Sequence, residues 1–185
     1  MSIEDEYSLV RLFDTSAEFI INHLDRLNEQ DRYLRFGQIP SRETITKYVN
    51  ESLAAINTRT HADFWFGIKK GVELVATLHV SIRDDVAEFA FSTAEDHRGK
   101  KLGQLLFARG YQLVTEYSIT RIYMMCLSSN AAIKHIARKF GLAVMTHGSE
   151  SEGSVNIQYP VSLSKVHEIK MCIIDHGLFD PNPSL

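Results

Sequence analysis

The sequence predicts an α/β domain with a mixed, mostly antiparallel central sheet of about seven strands flanked by helices. Three observations lead there. Three β-like runs follow one another between residues 63 and 93, joined by short polar turns, as in an antiparallel meander. Helical periodicity brackets them on both sides, and a further strand-like run, "RIYMMCL", sits between the two later helices. The chain of 185 residues fits one domain, 1–185, with a sizeable core.

The elements follow in order. "YSLVRLF" places Tyr7, Leu9, Arg11 and Phe13 on one face of a first strand. "DTSAEFIINHLDRLNEQ" opens with Thr15 three residues before Glu18, a capping-box pattern. Phe19, Ile20, His23, Leu24 and Leu27 then recur at helical spacing. "DRYLRFGQIPS" breaks this helix, and Ser41 starts another with Ile45, Tyr48, Val49, Leu53 and Ile56 on one side. The meander comes next: "DFWFGIK", the turn "KGV", "ELVATLHVSI", the turn "RDD", and "VAEFAFST". A helix over about 102 to 118 precedes "RIYMMCL". Ile133, Ile136, Ala137 and Phe140 mark another helix, ended by Gly141. Residues 142–161 read as two strands around the polar tip "GSESEG", followed by a short helix in "SKVHEIKMCIIDHGLF" and the tail "DPNPSL".

Composition narrows the function classes. Apolar residues make up 44% and charged residues 23%, as in ordinary globular domains. A net charge of −3, without interleaved aromatic and basic residues, argues against general nucleic-acid binding. The acidic start "MSIEDEYSLVRLFD" lacks the features of a signal peptide, and no run approaches the roughly 18 apolar residues that span a membrane. The two cysteines, Cys126 and Cys172, have neither close spacing nor a framework pattern, which predicts reduced thiols in a cytoplasmic protein.

The chemistry concentrates in "AEDHRGKKLGQLLF", between a strand and a helix. A helix N-terminus carries unpaired N–H groups and about half a positive charge. With glycines ahead of it, the backbone becomes approachable by an anion, most often a phosphate. Arg98, Lys100 and Lys101 add mobile positive charge. The spacing is neither the nucleotide-binding G-x-x-x-x-G-K-[ST] nor the dinucleotide G-x-G-x-x-G. An ordinary β–α connection with solvated lysines carries the same letters.

The wider context is more specific. "VAEFAFSTAEDHRGKKLGQLL" resembles the signature segment of the GNAT superfamily of N-acetyltransferases, in which a central strand leads into Arg/Gln-x-x-Gly-x-Gly/Ala at a helix start. "SSNAAIKHIARKFGLAV" resembles the family's second signature, an asparagine followed by a helix. The two stand in the right order on the right elements, and the resemblance spans roughly residues 63–161. It implies the GNAT fold and an acetyl-CoA-dependent transfer of an acetyl group directly to a primary amine, on a small molecule or a peptide. A non-catalytic acyl-CoA-binding module with the same fold is the alternative. A homodimer is compatible with either.

By position, the resemblance implies that backbone groups of Phe91, Ser92 and Thr93 pair with the pantetheine arm. The stretch Arg98, Gly99, Lys100, Lys101, Leu102, Gly103 and Gln104 would wrap the pyrophosphate, and Asn130 would face the cofactor while also suiting a helix cap. Lys101 stands where a glycine is usual, which matters only if that residue needs a positive φ.

A lysine-like amine has a pKa near 10.4, so at pH 7 roughly one molecule in 2,500 is nucleophilic, a cost of about 4.6 kcal/mol. A positioned base is therefore required. Glu88, ten residues before Arg98, is the candidate, and a charge inside "VAEFAF" itself calls for a reason. His79, His97 and His135 are substitutes. Many family members carry a tyrosine in the second-signature helix that protonates the leaving thiolate; here that position is Ala137. Tyr123, Cys126, Ser128 and Ser129 remain for that role, or the thiolate leaves unaided. The acceptor groove is expected between the first two helices, "DRYLRFGQIPS" among them, and the hairpin near residues 148–153.

Overall fold

The computed structural model describes residues 7–117 and 119–156. Their order is β1 (Tyr7–Leu12), α1 (Ala17–Asp25), α2 (Glu29–Phe36), α3 (Arg42–Ala54), β2 (His61–Lys70), β3 (Glu73–Arg83), β4 (Val86–Thr93), α4 (Leu102–Glu116), β5 (Arg121–Leu127), α5 (Ala131–Lys139), β6 (Ala143–His147) and β7 (Glu150–Asn156). The sheet runs β1-β2-β3-β4-β5-β7-β6, and every neighbouring pair is antiparallel except β4 and β5. This is the mixed, mostly antiparallel seven-stranded sheet the sequence predicts. The final helix and tail expected in "SKVHEIKMCIIDHGLF" and "DPNPSL" lie outside the described residues.

The meander forms because its strands alternate large apolar side chains with small or polar ones, and short turns close them. Gly71 and Asp84 take positive φ in those turns. Both faces of the sheet are covered. On one, Phe64, Phe66, Leu78, Val80, Phe89 and Phe91 pack with Leu105, Leu106 and Phe107 of α4. On the other, Leu12 and Trp65 pack with Ile20 and Leu24 of α1 and with Ile45 and Val49 of α3. Double coverage gives β1 apolar side chains on both faces, while Tyr7, Leu9 and Arg11 do share one, the Arg11 guanidinium lying over the Phe64 ring. Tyr7 and Leu9 join the first core, Val10 and Leu12 the second, and Phe13 lies beyond the strand, 53% exposed.

α4 approaches the sheet closely at Gly110, where a Cβ would stand 2.8 Å from both Leu78 and Phe89. Both side chains are fully buried and have little room to yield. Gly110→Val is expected to lower stability by about 1–3 kcal/mol through overpacking, read as a drop in denaturation midpoint at unchanged m-value.

Three N-terminal expectations change. The helix does not begin on a Thr15–Glu18 capping box: a 3-10 turn, Asp14–Ser16, leads into α1, and the Thr15 N–H donates to Asp14 at 2.9 Å instead. "DRYLRFGQIPS" does not simply break a helix but contains most of a separate one, α2, capped by Asn28, whose Oδ1 accepts the Asp31 N–H at 2.8 Å. Gly37, left-handed at φ 71°, ends it. α3 does start at Ser41, whose Oγ accepts the Thr44 N–H at 3.2 Å, but Ile56 lies past its end and is 86% exposed. The hairpin tip also shrinks: residues 150–153 of "GSESEG" belong to β7. No helix among the described residues is long and apolar enough to cross a membrane.

Candidate active site

The site begins where the sheet opens. β4 pairs with β3 through Thr93, but with β5 only over Val86, Ala87 and Glu88. Beyond Glu88 the two parallel strands part, so the edge of β4 from Phe89 to Thr93 has no ladder partner on that side. Backbone groups need partners, and an extended ligand lying in the gap supplies them. A cavity of about 540 Å³ occupies this region, lined by Phe91, Ser92 and Thr93, by Gly99 to Gln104 except Lys100, and by Ser129, Asn130 and His135.

The loop before α4 presents its first-turn N–H groups to this cavity, as helix geometry requires. Gly99 is left-handed at φ 75°. At Gly103 a Cβ would stand 2.7 Å from Ile136 Cδ1, so the end of that side chain would have to shift. The Gln104 N–H already donates to the Lys101 carbonyl at 2.9 Å, so the free amides run from Gly99 to Gly103 rather than to Gln104. Two of the three cations are engaged elsewhere. Arg98 pairs with Asp31 of α2, and Lys100 donates to the Tyr7 hydroxyl at 2.8 Å. Lys101 is exposed and has no ion-pair partner among the described residues.

Lys101 is the N-cap of α4 and lies at φ 61°, ψ 14°, the conformation that favours glycine. An L-residue there costs roughly 1–2 kcal/mol, whereas glycine carries about 0.5–1 kcal/mol of extra chain entropy. Lys101→Gly is therefore expected to stabilise the protein by about 0.5–1 kcal/mol. A thermal midpoint about 2–3 °C higher would show it, and an unchanged or lower midpoint would refute the strain.

Glu88 lines a second cavity of about 410 Å³ on the α1–α3 face of the sheet. Cross-strand register puts Asp63, Ser81, Glu88 and Tyr123 in one row, with Trp65, His79 and Ala90 in the next row on the same face. Glu88 is exposed and has no hydrogen-bond or ion-pair partner among the described residues, unlike the neighbouring carboxylate of Asp63. The two cavities adjoin along β4, whose residues 91–93 line the first and whose Ala90 and Glu88 line the second; Arg35 of α2 lines both.

A connected polar network backs the second cavity. The Arg35 Nη2 donates to Tyr48 Oη at 3.0 Å, and Tyr48 Oη lies 2.6 Å from His79 Nδ1. His79 Nε2 is 2.9 Å from Asp63 Oδ1, and Arg83 donates to the other carboxylate oxygen at 2.9 Å. The Trp65 ring stacks on the imidazole at 4.6 Å. Burial would raise the Asp63 pKa, but its bonds and charge interactions with His79 and Arg83 outweigh it and hold the carboxyl below the usual range. Burial lowers the His79 pKa more than Asp63 raises it, which keeps the imidazole neutral.

The remaining candidates fall in different places. His97 is buried, with Nδ1 2.9 Å from the Tyr7 hydroxyl. His135 is exposed on α5 at the rim of the first cavity. Asn130 caps α5, accepting the Ile133 N–H at 3.2 Å, and also lines the first cavity. Ala137 is buried against Gly153 of β7, 3.3 Å from the Cβ that glycine lacks, and lines neither cavity. Burial raises the Cys126 pKa, which disfavours the thiolate. Tyr123 is held protonated by burial and by Glu152 and Glu88. Residues 148–153 line neither cavity. The sequence reading missed Asp31, Arg35, Tyr48, Asp63 and Arg83, because their roles exist only after four separated elements meet.

The profile of the acetyltransferase (GNAT) family matches residues 24–142, and the chain belongs to this family. No protein of curated function matches it. Among solved structures it is similar to the GNAT domain of S. lividans PAT, with a TM-score of 0.69, 16% identity, and 80% and 89% of the two chains covered. It is likewise similar to spermidine N-acetyltransferase from Vibrio cholerae in complex with CoA and spermine, at 0.65, 17%, and 82% and 96%. The Escherichia coli ribosomal-protein-S18-alanine N-acetyltransferase gives 0.61, 13%, and 85% and 97%. At these identities the likeness establishes the fold.

Proposed function

We propose that residues 1–185 form one cytoplasmic N-acetyltransferase domain that moves an acetyl group from acetyl-CoA directly onto a primary amine of a small molecule or peptide. The observation that carries this reading is the meeting of two cavities on β4, one beside a basic helix start and one containing the exposed carboxylate of Glu88. The residues present suit acetyl-CoA. The open edge of Phe91, Ser92 and Thr93 accepts an extended amide-bearing arm, and the Gly99 to Gly103 amides with Lys101 suit a diphosphate. Asn130 stands at the same cavity. Acetyl-CoA supplies the activated thioester.

Glu88 takes a proton from the acceptor ammonium, directly or through one water, and so frees the nucleophilic lone pair. Transfer without a covalent enzyme intermediate agrees with the raised Cys126 pKa. The structural neighbour that holds both CoA and spermine supports a thioester donor and an amine acceptor converging on this fold.

The test is release of CoA thiol from acetyl-CoA across a panel of polyamines, amino acids, aminoglycosides and lysine-containing or N-terminal peptides. Steady release with any amine supports the enzyme. Tight acetyl-CoA binding without turnover would instead make the chain a binding module.

A further inference from the structure

Glu88 alone does not complete the proton balance. An ammonium acceptor sheds two protons on becoming an amide, while the departing sulfur takes up one. Glu88 accounts for the first proton; the second leaves nitrogen and one arrives at sulfur, a transfer that a single group placed between them can carry.

We propose that Tyr48 is that group: its hydroxyl, backed by His79 and Asp63, shuttles a proton from the acceptor nitrogen to the sulfur of the leaving CoA. This inference rests on the acetyltransferase reading above. An ionised carboxylate only accepts hydrogen bonds, so His79 Nε2, 2.9 Å from Asp63, carries the hydrogen and Nδ1 is left as the acceptor. Tyr48, 2.6 Å from Nδ1, therefore donates inward; its oxygen accepts one hydrogen bond from Arg35 at 3.0 Å and keeps its second lone pair in the cavity that also contains Glu88. Trp65 stacked on the imidazole and Arg83 bonded to Asp63 fix the chain in place. The connection is that of a nucleophile–His–Asp array, with a proton carrier in the nucleophile's position.

The step balances. As the C–N bond forms, Tyr48 takes a proton from nitrogen and passes its own to His79 Nδ1, giving an imidazolium matched by Asp63. As the C–S bond breaks, the proton returns by the same path to sulfur, and Tyr48 and His79 end as they began. The proton on Glu88 goes to water. The charged groups around the ring and its cavity are Asp63 of β2, Arg83 of β3, Arg35 of α2, Glu51 of α3 and Glu88 of β4. Burial and Arg35 disfavour the imidazolium, so it yields its proton readily to a thiolate whose conjugate acid has a pKa of about 8.5. A carrier on α3 is also compatible with the alanine at position 137, which lines neither cavity.

The experiment uses the full chain, acetyl-CoA and the best amine of the panel. Tyr48→Phe is expected to lower kcat about 10²-fold, with KM and CoA affinity close to wild type. His79→Gln is expected to do the same, and the double variant to be no worse than the poorer single one, because the residues act as one unit. Independently of turnover, ¹⁵N NMR at pH 7 should show His79 protonated at Nε2 and bare at Nδ1, with the Nδ1 resonance moving in Tyr48→Phe. A kcat in Tyr48→Phe within about twofold of wild type, losses that multiply, or a protonated Nδ1 would overturn the shuttle. Wild-type protein that turns over no amine would overturn the transferase reading itself, an outcome distinct from a loss confined to the variants.

Discussion

Glu88→Gln should lower kcat/KM for amine acetylation by about 10²–10⁴-fold, the range of a positioned general base. Glutamine keeps the size and loses the ability to take a proton. Glu88 is exposed on β4, away from the apolar core, so the substitution should leave stability within about 0.5 kcal/mol. The first cavity does not include Glu88, so acetyl-CoA affinity should also be preserved. The measurement is steady-state CoA release alongside thermal melting and acetyl-CoA titration. Activity retained within tenfold would remove Glu88 from the chemistry, and lost affinity would place it in the thioester site instead.

The second large effect is acid destabilisation through His23. This side chain is buried beneath β4, with Nδ1 3.0 Å from the Leu74 carbonyl and Nε2 2.9 Å from the Ser92 hydroxyl, which also meets Thr77 at 2.7 Å. Burial, against the Leu74 bond, lowers its pKa to about 4 from 6.5. The unfolded chain therefore binds more protons between those two values, and stability rises with pH across that window. Acidification from pH 7 should cost about 2 kcal/mol by pH 5 and about 3 kcal/mol at pH 4 from this group alone. His79, also lowered, adds a loss in the same direction. Asp63, held below the usual range, contributes stability that disappears only as pH falls through its still lower folded value. An NMR titration should find His23 uncharged at pH 5, and His23→Gln should flatten the fall of thermal midpoint between pH 7 and 5. A His23 that titrates near 6.5 would contradict this.

What could be read in advance was local. β4 and β5 match their sequence runs residue for residue, because alternating side chains bounded by turn formers leave little choice of register. The strand end, basic turn and helix start that line the first cavity likewise lie in one consecutive stretch, Phe91–Gln104, and so announce themselves. α2 was hidden because it buries no side chain completely and ends just before a glycine and a proline, so its apolar face has no clear period. The second cavity was less legible still. Tyr48 looked like a core position on α3 and His79 like one histidine among several. Only the packing of α2 and α3 over β2, β3 and β4 joins them to Asp63 and Arg35. Lys101 was legible as a question about backbone sign, and its φ of 61° answers it.

The central claim is that the opening between β4 and β5 receives acetyl-CoA with its diphosphate at the start of α4. A crystal structure with acetyl-CoA tests it most directly. The account predicts the diphosphate on the amides of Gly99 to Gly103, the pantetheine arm along the free edge of Phe91 to Thr93, and the thioester beside Ala90, where the cavity containing Glu88 begins. A cofactor bound elsewhere, or one whose thioester lies away from β4, would contradict it.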